Sequence, residues 1–70
     1  MEAINYKEQD RKAILDYLKG KGNVSVENVL NESGANRLRV YVLLFELRDA
    51  GLVEITNSND WGSPTEVKLI

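Results

Sequence analysis

Seventy residues suffice for one domain around one hydrophobic core, close to the lower size at which packing alone holds a fold. The chain contains no cysteine and no histidine, which excludes disulfides, thiolate chemistry, imidazole acid–base catalysis and the usual zinc sites, so stability must come from packing or from a second subunit. Nine basic against eleven acidic residues give a net charge of −2, the wrong sign for coating nucleic acid indiscriminately, so any DNA binding depends on local placement of charge.

No apolar run approaches the roughly 18 residues of a membrane span. The opening Met-Glu-Ala-Ile-Asn lacks the basic-then-apolar order of a secretion signal, so the expected location is the cytoplasm, without membrane contact. Met1, Ala3, Ile4 and Tyr6 stand among polar neighbours and should be tied down against something apolar. Asn5 followed by Glu8 resembles a capping box, opening a first helix that runs to about Lys19. Its apolar stripe is Ile14, Leu15 and Leu18, with the stems of Lys7 and Arg11 on the same side. Tyr6, Ala13 and Tyr17 make a second, narrower stripe, and Tyr17 is expected to rest on a neighbouring helix with its hydroxyl at the surface. Gly20-Lys21-Gly22 ends the helix. It lacks the preceding strand, spacing and following Ser or Thr of a phosphate-binding loop.

Val24 stands alone before Ser25 and reads as a one- or two-residue strand that pairs with a later sheet. Ser25 caps a short second helix whose Val26, Val29 and Leu30 follow helical spacing, and Glu32-Ser33-Gly34 closes it with a turn. Asn36 then caps a third helix. Val40, Leu43, Leu44 and Leu47 recur along it as a buried stripe, and Gly51 supplies the stop. Residues 52–56 and 65–70 mix apolar and polar side chains as strands do. Residues 57–64 are turn formers apart from Trp61, which predicts a hairpin with a long tip.

Helix, short strand, helix, turn, helix and hairpin follow one another here. The order is carried by Ile14-Leu15-Asp16-Tyr17-Leu18, by residues 24–30, and by residues 40–44 with Leu47 and Gly51-Leu52-Val53. It resembles the winged helix-turn-helix domain of bacterial transcription regulators, such as the arsenic-repressor and multiple-antibiotic-resistance types, over nearly the whole chain. The resemblance implies an α+β fold of three helices with a C-terminal two- or three-stranded antiparallel hairpin sheet, forming a single domain over residues 1–70. It also implies that the third helix enters the DNA major groove while the wing reaches phosphates or the minor groove. Carried onto this sequence, the DNA-binding candidates are Asn36, Arg37, Arg39 and Tyr41, with Lys68 on the last strand. Arginine suits guanine O6 and N7, asparagine suits adenine, and no acidic residue interrupts the span between Glu32 and Glu46.

Two features depart from that pattern. The wing tip carries Asp60 and Trp61 where basic residues are common, and Trp61 is expected to fold back over the small core, the alternative being that it stands out as a partner-binding anchor. On the third helix Leu38, Val42 and Phe45 lie opposite the core stripe. Exposed together, they form an apolar patch of the kind that marks a protein interface, although Phe45 can tuck under a neighbour and Leu38 and Val42 can touch thymine methyls. Ser25, Ser33, Ser58 and Ser63 have no histidine to activate them and the carboxylates are scattered, so no catalysis, cofactor or metal is expected.

The primary expectation is a small stand-alone transcription regulator that binds double-stranded DNA. The rival is a protein-protein interaction module that keeps the scaffold without DNA binding. A monomer offers about four or five basic side chains towards DNA, against the roughly 6–10 phosphate contacts of a strong binder, so a homodimer is expected. Apolar residues at both ends, Met1, Ala3, Ile4 and Tyr6 with Val67, Leu69 and Ile70, suggest that the termini form its seam. Such a seam would set two third helices roughly 34 Å apart.

Overall fold

The computed structural model describes residues 6–70. In chain order they form α1 (Tyr6–Leu18), β1 (Val24–Ser25), α2 (Val26–Glu32), α3 (Arg37–Asp49), β2 (Val53–Ser58) and β3 (Pro64–Leu69). The three strands make one antiparallel sheet in the order β1-β3-β2, so the last strand lies in the middle. The arrangement is α+β, with three helices and a three-stranded antiparallel sheet. No helix among the described residues is long and apolar enough to cross a membrane. Met1, Ala3, Ile4 and the Asn5 of the expected capping pair lie outside the described residues.

Local chemistry sets the element ends. Ser25 caps α2, its Oγ accepting from the Asn28 N–H at 3.1 Å. The Ser33 hydroxyl donates to the Val29 carbonyl at 2.6 Å and accepts from the Ala35 N–H at 3.2 Å, which closes α2 and shapes the turn into α3. Asn36 caps α3 through Oδ1, which accepts from the Leu38 N–H at 2.8 Å. At the far end Gly51 adopts φ +78°, its N–H donates to the Arg48 carbonyl, and the Leu52 N–H donates to the Leu47 carbonyl. This paired closure needs a residue with φ > 0, which glycine adopts without strain.

Val40, Leu43, Leu44 and Leu47 of α3 are buried against Ile14 and Leu18 of α1, Val26 and Val29 of α2, and Val53 and Val67 of the sheet. Val67 is the centre of that sheet, pairing with Val24 on one side and Ile55 on the other. The isolated Val24 is thereby recruited as a two-residue strand. Leu15, Ala13 and Tyr17 are partly buried at the edge of the core, while Tyr6 is exposed.

The hairpin differs from its sequence-based outline. β2 extends to Ser58 and β3 begins at Pro64, so Asn57, Ser58 and Pro64 belong to strands and the tip is shorter than expected. A register irregularity between Ile55 and Asn57 accommodates the polar residues, and the Asn57 amide donates to Glu66 Oε1 across the ladder at 2.9 Å. Pro64 is tolerated because the first residue of a strand can do without its N–H. Trp61 does not cover the core; it is 91% exposed.

The Tyr17 hydroxyl donates to Glu32 Oε2 at 3.2 Å, linking α1 to the end of α2, and the Lys21 ammonium lies 4.5 Å from the ring centre. Burial raises the Tyr17 phenol above its ordinary value, and the Glu32 carboxylate adds to this by charge and by hydrogen bond. The folded chain therefore holds this proton to higher pH than the unfolded chain. The resulting stabilisation is complete below the ordinary tyrosine pKa near 10 and is lost as pH rises through the folded-state value.

Two measurements test this account. Leu44→Ala should cost about 2–5 kcal/mol in urea unfolding, most of the stability available to so small a domain, whereas a loss below about 1 kcal/mol would remove α3 from the centre of the core. In a phenolate absorbance titration, Tyr17→Phe should delete a component that ionises above the ordinary tyrosine range. Loss of an ordinary component instead would contradict the Glu32 contact.

Candidate functional site

The side of α3 opposite its buried stripe has no element over it. Along its first two turns it presents Leu38 and Val42, exposed at 90% and 58%, while Arg37 and Tyr41, also exposed, lie on the flank of the helix beside α2 and the hairpin. Phe45, one turn further, is half-buried, and the Arg48 guanidinium lies 5.0 Å from its ring centre, so the aromatic is shared between neighbours and solvent. The exposed apolar surface is thus Leu38, Val42 and part of Tyr41, without a fully exposed Phe45.

The two arginines expected to act together are held apart. Arg37 Nη1 donates to the side-chain oxygen of Asn31 on α2 at 2.6 Å, a neutral partner that fixes the guanidinium without cancelling its charge. Arg39 turns instead towards α1. Its Nη1 donates to Asp10 Oδ2 at 2.8 Å, with the Tyr6 ring 5.8 Å away. The Asp10 side chain is only 12% exposed, so Arg39 compensates a carboxylate largely withdrawn from water. A second ion pair, Lys7 with Glu46 at 2.8 Å, ties the same two helices together. Lys68 faces Glu54 across the hairpin at 3.3 Å. Asn36 is exposed, but its amide oxygen holds the α3 cap, which leaves the amide nitrogen as its available donor.

Asp10 was not singled out by sequence reasoning, although a signal was present. It is four residues before Ile14 and eight before Leu18, on the stripe that α1 buries. A carboxylate there must find an inward partner. Which cation would answer was not readable, because Arg39 is 29 residues away in sequence.

Beside the exposed face, the first turn of α2, the start of α3 and the hairpin enclose a groove of about 420 Å³. Val26, Leu30 and Pro64 supply its apolar lining, Arg37 and Tyr41 come from α3, and Glu27 contributes a carboxylate. Compared with known protein families, curated proteins and solved structures, the chain matches none of them.

The two arginines should therefore separate in a stability measurement. Arg39→Ala leaves Asp10 without its cation and should destabilise the fold by about 1–2 kcal/mol, the partial exposure of Arg39 keeping this below the cost of breaking a fully buried pair. Arg37→Ala should stay within about 0.5 kcal/mol of the parent. Equal losses for both substitutions would contradict the division between them.

Proposed function

We propose that the chain binds duplex DNA as a winged helix-turn-helix protein. In this reading α2, the turn and α3 form the helix-turn-helix, and the β2–β3 hairpin forms the wing. The observation that carries it is the outward face of α3. In a protein with more acidic than basic residues, the stretch from Ser33 to Phe45 contains no carboxylate, and its exposed side offers Arg37, Leu38, Tyr41 and Val42. Arg37 is the residue suited to guanine O6 and N7, while Leu38 and Val42 have the chemistry to meet thymine methyls.

Arg39 is drawn towards α1 by Asp10, so in this reading Arg37 takes the leading part in the groove. Lys68 is available to phosphate, since an exposed pair such as that with Glu54 contributes about 0–1 kcal/mol and is readily exchanged. So few free cations make the binding weak and only modestly salt-dependent. Two or three phosphate contacts per chain correspond to a log–log slope of about −2 to −3, far shallower than that of a strongly basic binder.

A second reading, a protein-docking module, has its own observation. Leu38 and Val42 are exposed side by side, and the lone tryptophan stands at the hairpin tip. The test separates the two. Anisotropy of a labelled duplex, titrated between low and moderate salt, should show binding with the shallow slope given above. Arg37→Ala should weaken it about tenfold or more, and Leu38→Ala should shift the preferred sequence in a selection from random duplexes. Absence of binding at the lowest salt, or binding indifferent to Arg37→Ala, would sink the DNA reading and leave the docking one.

A further inference from the structure

The hairpin tip is a built feature. Asn59 Oδ1 accepts from the Trp61 N–H at 2.9 Å and the Ser63 N–H at 3.0 Å, the Asn59 N–H donates to the Ser63 carbonyl, and the Gly62 N–H donates to the Asn59 carbonyl. Gly62 takes φ +82°, as so tight a loop requires. The four hydrogen bonds hold Asp60 and Trp61 at the end of a rigid turn, and Trp61 rests against nothing. The backbone that carries the indole is thus already ordered, so burial by a partner has only the side chain's own rotamers to fix, which suits an interface anchor.

The groove beside that hairpin has the complementary chemistry. Its volume of about 420 Å³ exceeds the roughly 150 Å³ that accommodates a benzene ring in an apolar cavity, so it has the volume to take an indole. Leu30 and Pro64 offer apolar contact, Tyr41 offers a ring, and Glu27 offers an acceptor for the indole N–H. Arg37 lines the same groove with its charge uncancelled, because its partner is the neutral Asn31 side chain. A carboxylate arriving beside an indole would meet that guanidinium, and Asp60 is the residue next to Trp61.

We propose that two copies of this chain associate around a two-fold axis, each placing its Asp60-Trp61 tip in the groove between α2, α3 and the hairpin of the other. The second copy is the occupant because anchor and groove belong to the same hairpin: Asn59, Ser63 and Pro64, which flank Trp61, line the groove themselves. A two-fold rotation that brings one tip to its groove brings the other tip to its own, so both contacts form together. Asp60 and Glu27 share one guanidinium, and the surface covered is small, which makes the association weak and reversible. The seam lies at the opposite end of the hairpin from Ile70, whose N–H donates to the Leu52 carbonyl at the base. It does not depend on the DNA reading, although Arg37 belongs to both, so a duplex lying along α3 and the self-associated form exclude one another.

The lone tryptophan makes the test direct. Sedimentation equilibrium and tryptophan emission are followed together, without DNA, from roughly 10 μM to 1 mM, the range suited to a small interface. The expected result is a rise from one chain mass to two, accompanied by a blue shift and by protection from acrylamide quenching. Trp61→Ala, at an exposed position that leaves folding untouched, should weaken association about tenfold or more. Arg37→Asp and Asp60→Arg should each weaken it similarly, and the double variant should return it to within a few-fold of the parent, because each reversed charge meets its reversed partner on the other copy. A single-chain mass throughout would overturn the proposal. So would a dimer whose tryptophan stays fully quenchable, or a double variant no better than the single ones. Saturable binding of a short peptide containing Asp-Trp, with no association of the chain itself, would also overturn it in favour of a foreign partner.

Discussion

The burial of one stripe on α3 is the constraint on which the rest of the molecule depends. Val40, Leu43, Leu44 and Leu47 meet α1, α2 and the sheet at once, and they are the largest set of buried side chains that any one element gives the core. A chain of this length has material for a single core, so every element is placed by its relation to that stripe. The opposite side of α3 is left bare for the same reason: the few elements available are already gathered on the buried side. The candidate recognition surface is the complement of the core, with Leu38 and Val42 exposed because Leu43 and Leu44 are not.

Around this apolar centre a polar seam fixes how α1 lies on α3. Asp10 with Arg39 and Lys7 with Glu46 bridge the two helices. Of these four side chains only the Asp10 carboxylate is largely withdrawn from water, and a charge so placed strongly disfavours arrangements that leave it unpaired, so the Asp10–Arg39 pair sets the mutual placement of the helices more than it strengthens it. The seam has a functional cost as well. It draws Arg39 away from the outer face and leaves Arg37 to carry the positive charge there, which turns an apparently basic helix start into a mostly apolar surface with one cation.

The hairpin shows a similar division. Val53, Ile55 and Val67 anchor its base in the core, while its tip is organised entirely by local hydrogen bonds around Asn59. The tip is therefore stiff without being supported by the body of the protein. A tryptophan left uncovered at the tip, beside a groove, is difficult to explain by folding alone, since burying that indole against the core would have stabilised the chain.

What the sequence determined by itself is the set of elements and the core. Helical spacing of Val40, Leu43, Leu44 and Leu47, the caps at Ser25 and Asn36, and the stop at Gly51 are local signals, and each acts over a few residues. The two-residue strand at Val24 was legible for the related reason that an isolated apolar residue between turns needs a sheet to join. Tertiary structure alone decided the partners of the charges and the fate of the large exposed side chains. Asp10 and Arg39 are 29 residues apart, and nothing local to either says that they meet. Trp61 lies outward because the Asn59 turn directs the hairpin tip away from the core, a geometry fixed by the strand register and its irregularity after Ile55. Periodicity reports which side of a helix is apolar. Whether the other side meets water, a carboxylate or a groove depends on elements distant in sequence, and only the folded chain brings those together.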